Sequence, residues 1–296
     1  MANIRGQKSP SYRTCMKVEI YADVLCPWCY IGKRRMSAAL EQVTERDKVQ
    51  IVWRSFELAP EEGRVPGPTA AEAMAGWWGD QAQARIARIQ ALGAAEGLEF
   101  NLHLARPVNT FDAHRLCRLA AVRGGADQMM ERLLRAYHTE GLNVADPQVL
   151  QRLGGEAGLA DAKVRALLAG DDYAEEVRAD RRHAAELGVT GVPSLVIDGG
   201  PPMSAVQPAT ELRRLLEHGL TALRFAKTVT TLDQLAGPGR LYPGLAPDAR
   251  EGDFVLSEMD CSTRGKRFDQ LLDRPATTCT PDDSIGPRPR CECDRI

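Results

Sequence analysis

The 296-residue chain has few aromatic residues, 5% of the total, and little charge of either sign in excess, with a formal net of -2. That balance offers no overall electrostatic case for nucleic acid or an anionic membrane surface. No apolar run approaches the roughly 18 residues that read as a membrane-spanning helix. The stretch 1-MANIRGQKSPSYRTC-15 carries basic side chains but lacks the apolar core of roughly 7 to 15 residues that a secretory signal needs, so a cytoplasmic location is expected. No internal repeat is evident. A sustained apolar period is also missing beyond Phe225, and residues 226–296, rich in Gly, Pro, Asp and Arg, read as a loosely ordered tail. The 44% of hydrophobic residues still suffices for a sizeable core.

Eight cysteines are present, and in a reducing compartment paired cysteines point to metal binding or catalysis rather than to a disulfide scaffold. Two stand close together in 21-YADVLCPWCYIGKRRM-36. C-x-x-C spacing serves structural zinc and catalytic dithiols equally. A zinc site would need a second pair, and the candidate is Cys291 with Cys293, whose C-x-C spacing is irregular for zinc. The flanks favour thiol chemistry. Val18 and Ile20 alternate in a short strand upstream, while Ile31, Met36, Leu40 and Val43 follow a helical period downstream. The motif therefore falls where a strand feeds a helix.

At a helix start the positive end of the macrodipole favours a thiolate by about 0.3 to 2 kcal/mol. Cys26 is expected to be the accessible, attacking sulfur and Cys29, one turn in, the buried resolving one. Pro27 has no N–H to offer, so further stabilisation would come from the amides of Trp28 and Cys29 or from the Cys29 thiol. Trp28, between the two sulfurs, is expected to shape access. Cys117 shares a helical stripe with Ala113, Leu116 and Ala120 and reads as an inert core thiol.

Along the chain, residues 49–58 read as a second strand and 59–69 as a loop dense in Pro and Gly. From Ala70 to Leu187 the pattern turns to helical stripes and caps, including Asp146-Pro147 as an N-cap with proline at the first helical position. Strand character returns at 194–199, followed by a turn and short strand over 200–206 and a helix over 208–225. The predicted fold is α/β, a βαβ…ββα frame with a large inserted α-helical block. His114, in 109-NTFDAHRL-116, reads as a solvated surface histidine, with proton transfer or substrate contact as the alternative. Trp77 and Trp78 are expected to open a helix and to pack half-buried.

In 188-GVTGVPSLVIDG-199, Pro193 precedes an apolar strand, where a proline cannot donate to a ladder and a cis Val192–Pro193 bond would leave backbone free. CPWCYIGK followed by GVP and SLVIDG resembles the DsbA family of the thioredoxin superfamily. The segments 87-ARIQALGAAEGLEF-100, 109-NTFDAHRL-116 and 136-AYHTEGLNVADPQVL-150 are similar to its branch of FrnE and 2-hydroxychromene-2-carboxylate isomerases. The likeness spans roughly residues 16–225. It implies a thioredoxin-like domain of residues 17–64 and 188–225, an inserted helical domain over 65–187, and extensions at 1–16 and 226–296.

The resemblance assigns attack to Cys26, resolution to Cys29, and presentation of backbone to the bound disulfide to Val192 with Pro193; Pro27, Trp28 and His114 are further candidates for substrate contact. It implies thiol–disulfide exchange with protein or small-molecule substrates and a thiol reductant, with glutathione a candidate co-substrate and no metal or other cofactor. Ser194 and His138 depart from the family, whose members commonly place aromatics there. Two alternatives accompany this reading. One is a glutathione-dependent isomerase, although the isomerases resembled typically have serine at the first motif position. The other is a redox-sensing or metal-binding interaction module. Cys261, Cys279, Cys291 and Cys293 in the tail have no assigned role.

Overall fold

A computed structural model describes residues 15–236 of the chain. The tail cysteines, the Cys291–Cys293 pair among them, lie outside the described residues, as do residues 1–14. β1 (Met16–Ala22) is followed by α1 (Pro27–Glu41) and β2 (Val49–Ser55). Helices α2 (Ala70–Trp78), α3 (Ala82–Ala95), α4 (Phe111–Ala121), α5 (Ala126–His138), α6 (Pro147–Glu156), α7 (Asp161–Ala169) and α8 (Ala174–Glu186) intervene. β3 (Ser194–Ile197), β4 (Met203–Ser204) and α9 (Ala209–Ala236) then close the frame. This is the predicted order, with the helical block inserted between β2 and β3.

Among the described residues the sheet order is β2-β1-β3-β4. β1 runs parallel to β2, pairing Ile20 with Trp53, and antiparallel to β3, pairing Ile20 with Leu195. As the central strand, β1 is covered on both faces, so Glu19 and Tyr21 are buried along with Val18 and Ile20. Met16 is the first strand residue and fully buried, not part of an extension. It packs beneath α9, where a Cβ on Gly219 would fall 2.3 Å from the Met16 sulfur.

On the other face, Asp180 of α8 accepts from the Ser55 amide at 2.8 Å and from Arg54 Nη1 at 3.0 Å, and pairs with Arg118 of α4. Arg54 also pairs with Glu19. One buried carboxylate thus ties the helical block to the strand neighbouring β1, and its two guanidinium partners and one amide offset its desolvation.

α9 continues past Phe225 to Ala236. The apolar stripe that marks a buried face stops at Phe225, which is 68% exposed, but the following residues include Ala, Lys, Leu and Gln, good helix formers that need no core contact to extend a helix. Trp77 and Trp78 end α2 rather than opening a helix, and Trp77 is 69% exposed.

Candidate active site

The chain leaves β1 at Ala22, turns through Asp23, Val24 and Leu25, and enters α1 at Pro27, whose fixed φ and missing N–H suit the first helical position. Cys26 is the N-cap residue, with φ -86° and ψ 112°. Its amide donates to the Asp23 carbonyl at 3.3 Å, and its own carbonyl accepts from the Cys29 amide at 3.0 Å. The Cys26 thiol donates to the Val192 carbonyl at 3.6 Å. The Val192–Pro193 peptide bond is cis.

The proline loop is held from its other side. The Ala205 amide donates to the Pro193 carbonyl at 3.0 Å, and Ser194 pairs with Ser204 across the β3–β4 ladder. α1 approaches it at Gly32, where a Cβ would lie 2.9 Å from the Ala205 oxygen and 3.2 Å from Pro193 Cγ. On its far side, α1 is fastened to α5. Tyr30 donates to Glu131 at 2.8 Å, and buried Lys33 pairs with Asp127 at 2.9 Å and Glu131 at 3.2 Å. The first cysteine is thereby fixed between the thioredoxin-like frame and the helical block.

Both motif cysteines are free thiols, and both are covered: Cys26 is 4% exposed and Cys29 1%. Access at the helix start is therefore narrower than its position in the sequence implies. Trp28 is half-buried between them. Burial pushes the Cys29 thiol well above its ordinary value, and the Cys26 sulfur adds to this through a hydrogen bond and its charge. Cys117 is core, as its stripe predicts, and burial pushes its thiol up to about 12.

His114 is not at the surface. It is 1% exposed, and its Nε2 stands 3.4 Å from Oδ1 of Asp23, itself fully buried. Neither atom has a hydrogen-bond partner, while Asp23 Oδ2 accepts from the Leu58 amide at 2.6 Å. The surface expectation failed because His114 shares α4's buried face with Asp112, Ala113, Arg115 and Leu116, where the polar neighbours masked the burial. Burial holds the Glu57 carboxyl above the usual range, with the charges of His114 and Asp23 acting on it in opposite directions.

His138 ends α5 directly beneath the turn. It is fully buried, stacked on Tyr30 at 6.1 Å between ring centroids and edge-on to Phe100 and Tyr137. Burial pushes it down to about 3, opposed by the nearby Val24 and Cys26 carbonyls. Sequence reasoning missed Asp23, Glu57 and the Lys33 clamp. An acid on the turn just before C-x-x-C was a usable signal for Asp23, whereas Asp127 and Glu131 were unmarked among surface-like charges. Among the described residues, no group of three or more His, Cys, Asp or Glu side chains could hold a metal ion.

A strand-to-helix dithiol facing a proline loop has the layout of thiol–disulfide exchange, and comparison with known proteins settles the lineage. The model of the DSBA-like thioredoxin domain matches residues 17–218. The chain belongs to that family. A probable DsbA oxidoreductase, SCO1869 from Streptomyces coelicolor, is 39% identical with a TM-score of 0.65, over 70% of this chain and 90% of that one. The cytosolic disulfide reductase DsbM from Pseudomonas aeruginosa is 23% identical with a TM-score of 0.52, over 70% and 99% of the two chains. A 2-hydroxychromene-2-carboxylate isomerase shares the fold at 16% identity and a TM-score of 0.50, over 73% and 99%. This DsbA-family member is an enzyme of the thiol–disulfide oxidoreductase/isomerase type. No helix among its described residues is long and apolar enough to cross a membrane.

Proposed function

We propose that the protein exchanges disulfides with protein or small-molecule thiols through Cys26 and Cys29. The observation that carries this reading is the contact of the Cys26 thiol with the Val192 carbonyl at 3.6 Å. It puts the helix-capping sulfur against the backbone of the proline loop, where a substrate disulfide would lie. In this mechanism the Cys26 thiolate attacks one substrate sulfur, a mixed disulfide forms, and the other substrate sulfur leaves as a thiolate. Cys29 then attacks the Cys26 sulfur, the Cys26–Cys29 disulfide closes and the second substrate thiol departs. Two electrons pass from the dithiol to the substrate, and an external thiol resets the pair.

Trp28, Pro27, Val192 and Pro193 form the contact surface for the incoming disulfide in this reading. Glutathione is a fitting small-molecule partner, since DsbM has also been solved with GSH, and a reducing, cytoplasmic setting suits the free thiols. The glutathione-dependent isomerase alternative finds less support here, because cysteine stands at the position where those isomerases typically have serine. The test is trapping. Cys29→Ser accumulates a Cys26–substrate mixed disulfide visible by intact mass, and Cys26→Ser forms none. Retention of disulfide reduction by Cys26→Ser would refute the assignment.

A further inference from the structure

In the exchange mechanism proposed above, the contact that marks the site is also one that the reaction removes. The Cys26 thiol donates to the Val192 carbonyl at 3.6 Å, and once Cys26 has lost its proton, as a thiolate or as half of a mixed disulfide, that donor is gone. Two other hydrogen bonds hold the proline loop. The Ala205 amide donates to the Pro193 carbonyl at 3.0 Å. The Ser194 hydroxyl reaches back over the proline and donates to the Gly191 carbonyl at 2.7 Å. Val192 and Pro193 are thereby closed in a short ring between Gly191 and Ser194.

We propose that Ser194 is a positioning residue: its hydroxyl sets the orientation of the Gly191–Val192 peptide, and with it the direction of the Val192 amide, through the steps in which Cys26 carries no proton. This rests on the exchange reading and deepens it at the same site. Among the described residues the cis peptide bond is Val192–Pro193, so Gly191–Val192 is trans, and in a planar trans peptide the N–H points opposite to the C=O. With the Gly191 carbonyl drawn in to Ser194, the Val192 amide is directed away from that hydroxyl. It has no acceptor among the described residues, although Val192 is only 5% exposed, and a covered amide without a partner is rare in a folded chain. The amide and the carbonyl that Cys26 touches belong to one residue, so an acceptor on that amide lies close to the reacting sulfur, where the peptide flanking a substrate cysteine falls.

Ser194 suits this role because it is itself fixed. It is buried, opens β3, and pairs with Tyr21 of β1 on one side and with Ser204 of β4 on the other. β1 runs on into the dithiol turn, so the hydroxyl ties the loop to the same strand that carries Cys26. The other anchors act beyond the proline: Ala205 holds the Pro193 carbonyl, and α1 approaches Pro193 at Gly32. At the near end Thr190 is exposed and Gly191 half-buried, and glycine adopts either sign of φ without steric cost. Without the hydroxyl the Gly191–Val192 peptide is free to turn.

The test compares two disulfides on the reduced full-length protein: a short synthetic peptide closed by a disulfide, and 5,5'-dithiobis(2-nitrobenzoate), which has no peptide group. Rate constants come from acid quench and mass spectrometry for the first and from absorbance for the second. Ser194→Ala slows reaction with the peptide by about tenfold, the worth of one net hydrogen bond, and leaves the aromatic disulfide within about twofold of wild type. Ser194→Thr, which keeps the hydroxyl, restores the peptide rate. Equal loss on both disulfides, no loss on the peptide, or a Ser194→Thr rate as low as that of Ser194→Ala would overturn the proposal. Should Ser194→Ala fail to fold, Ser194→Thr and Ser194→Val make the same comparison, being nearly isosteric and both suited to a strand. The peptide rate of Ser194→Val must then fall below that of Ser194→Thr while their aromatic rates agree, and equal peptide rates overturn the proposal. Reaction of Cys26→Ser with either disulfide would instead strike the exchange reading on which the proposal rests.

Discussion

The Cys26 thiol meets the Val192 carbonyl at 3.6 Å across a separation of 166 residues in the chain. Three parts of the chain between them bear on that contact: β2 pairs with β1 beside the turn, the helical block holds α1 through Lys33, and β3 returns the proline loop to the helix start. The close approach of α1 to this loop at Gly32 completes the arrangement.

Gly32 is therefore a backbone position through which packing reaches the proline loop. In Gly32→Ala the new methyl would stand 2.9 Å from the Ala205 oxygen and 3.2 Å from Pro193 Cγ, and overpacking of this kind costs about 1 to 3 kcal/mol. Thermal denaturation should show a lower midpoint, and disulfide reduction should fall because the loop is pushed away from Cys26. Wild-type values of both would mean that the packing relaxes freely.

Asp180→Asn should destabilise the protein without touching the dithiol. The carboxylate is 1% exposed and serves Arg54, Arg118 and the Ser55 amide. Removing one member of such a buried set typically costs about 3 to 5 kcal/mol. Urea denaturation measures this directly, and a loss under about 1 kcal/mol would mean that the two arginines find other partners.

Acid sensitivity has a specific source at His138. Its folded value of about 3 lies below the ordinary value of about 6.5, so the unfolded chain binds the extra proton between those limits. Its contribution is fully present above pH 6.5 and is lost as pH falls toward 3, at about 1.4 kcal/mol per pH unit. His138→Phe, which keeps a ring in the aromatic cluster, should flatten the fall of the thermal midpoint between pH 6.5 and 4.5. Glu19 adds a separate loss at lower pH. Burial raises it, but hydrogen bonds from Lys17 and Arg54 outweigh this and hold it below the usual range, so its contribution is lost only below about pH 4.5. An identical acid limb in His138→Phe would contradict the assignment.

The frame and the dithiol were legible because they are local. Strand alternation, the C-x-x-C at a strand–helix junction, and a proline before an apolar strand are each written within about ten residues, and their order specifies the topology. What was hidden depends on tertiary placement. His114 could be seen in the sequence, but its burial against Asp23 depends on where α4 docks. Lys33 looked like any helix-surface lysine, yet Asp127 and Glu131 on α5 make it a buried clamp. The length of α9 was underestimated because an apolar stripe reports burial, not helicity.

Cys117 offers a control for thiol reactivity. Burial pushes it up to about 12, so it should stay unlabelled by iodoacetamide in the native protein at pH 8 and react only on denaturation. Native labelling at the rate of a free thiol would mean that α4 opens far more readily than its packing implies.

The division of labour between the two motif sulfurs is tested most directly by limiting alkylation of the reduced native protein, with peptide mass mapping of the label. The account predicts that iodoacetamide marks Cys26 first, while Cys29, buried and held protonated, stays unmodified until unfolding. Equal labelling of Cys26 and Cys29, or preferential labelling of Cys29, would contradict it.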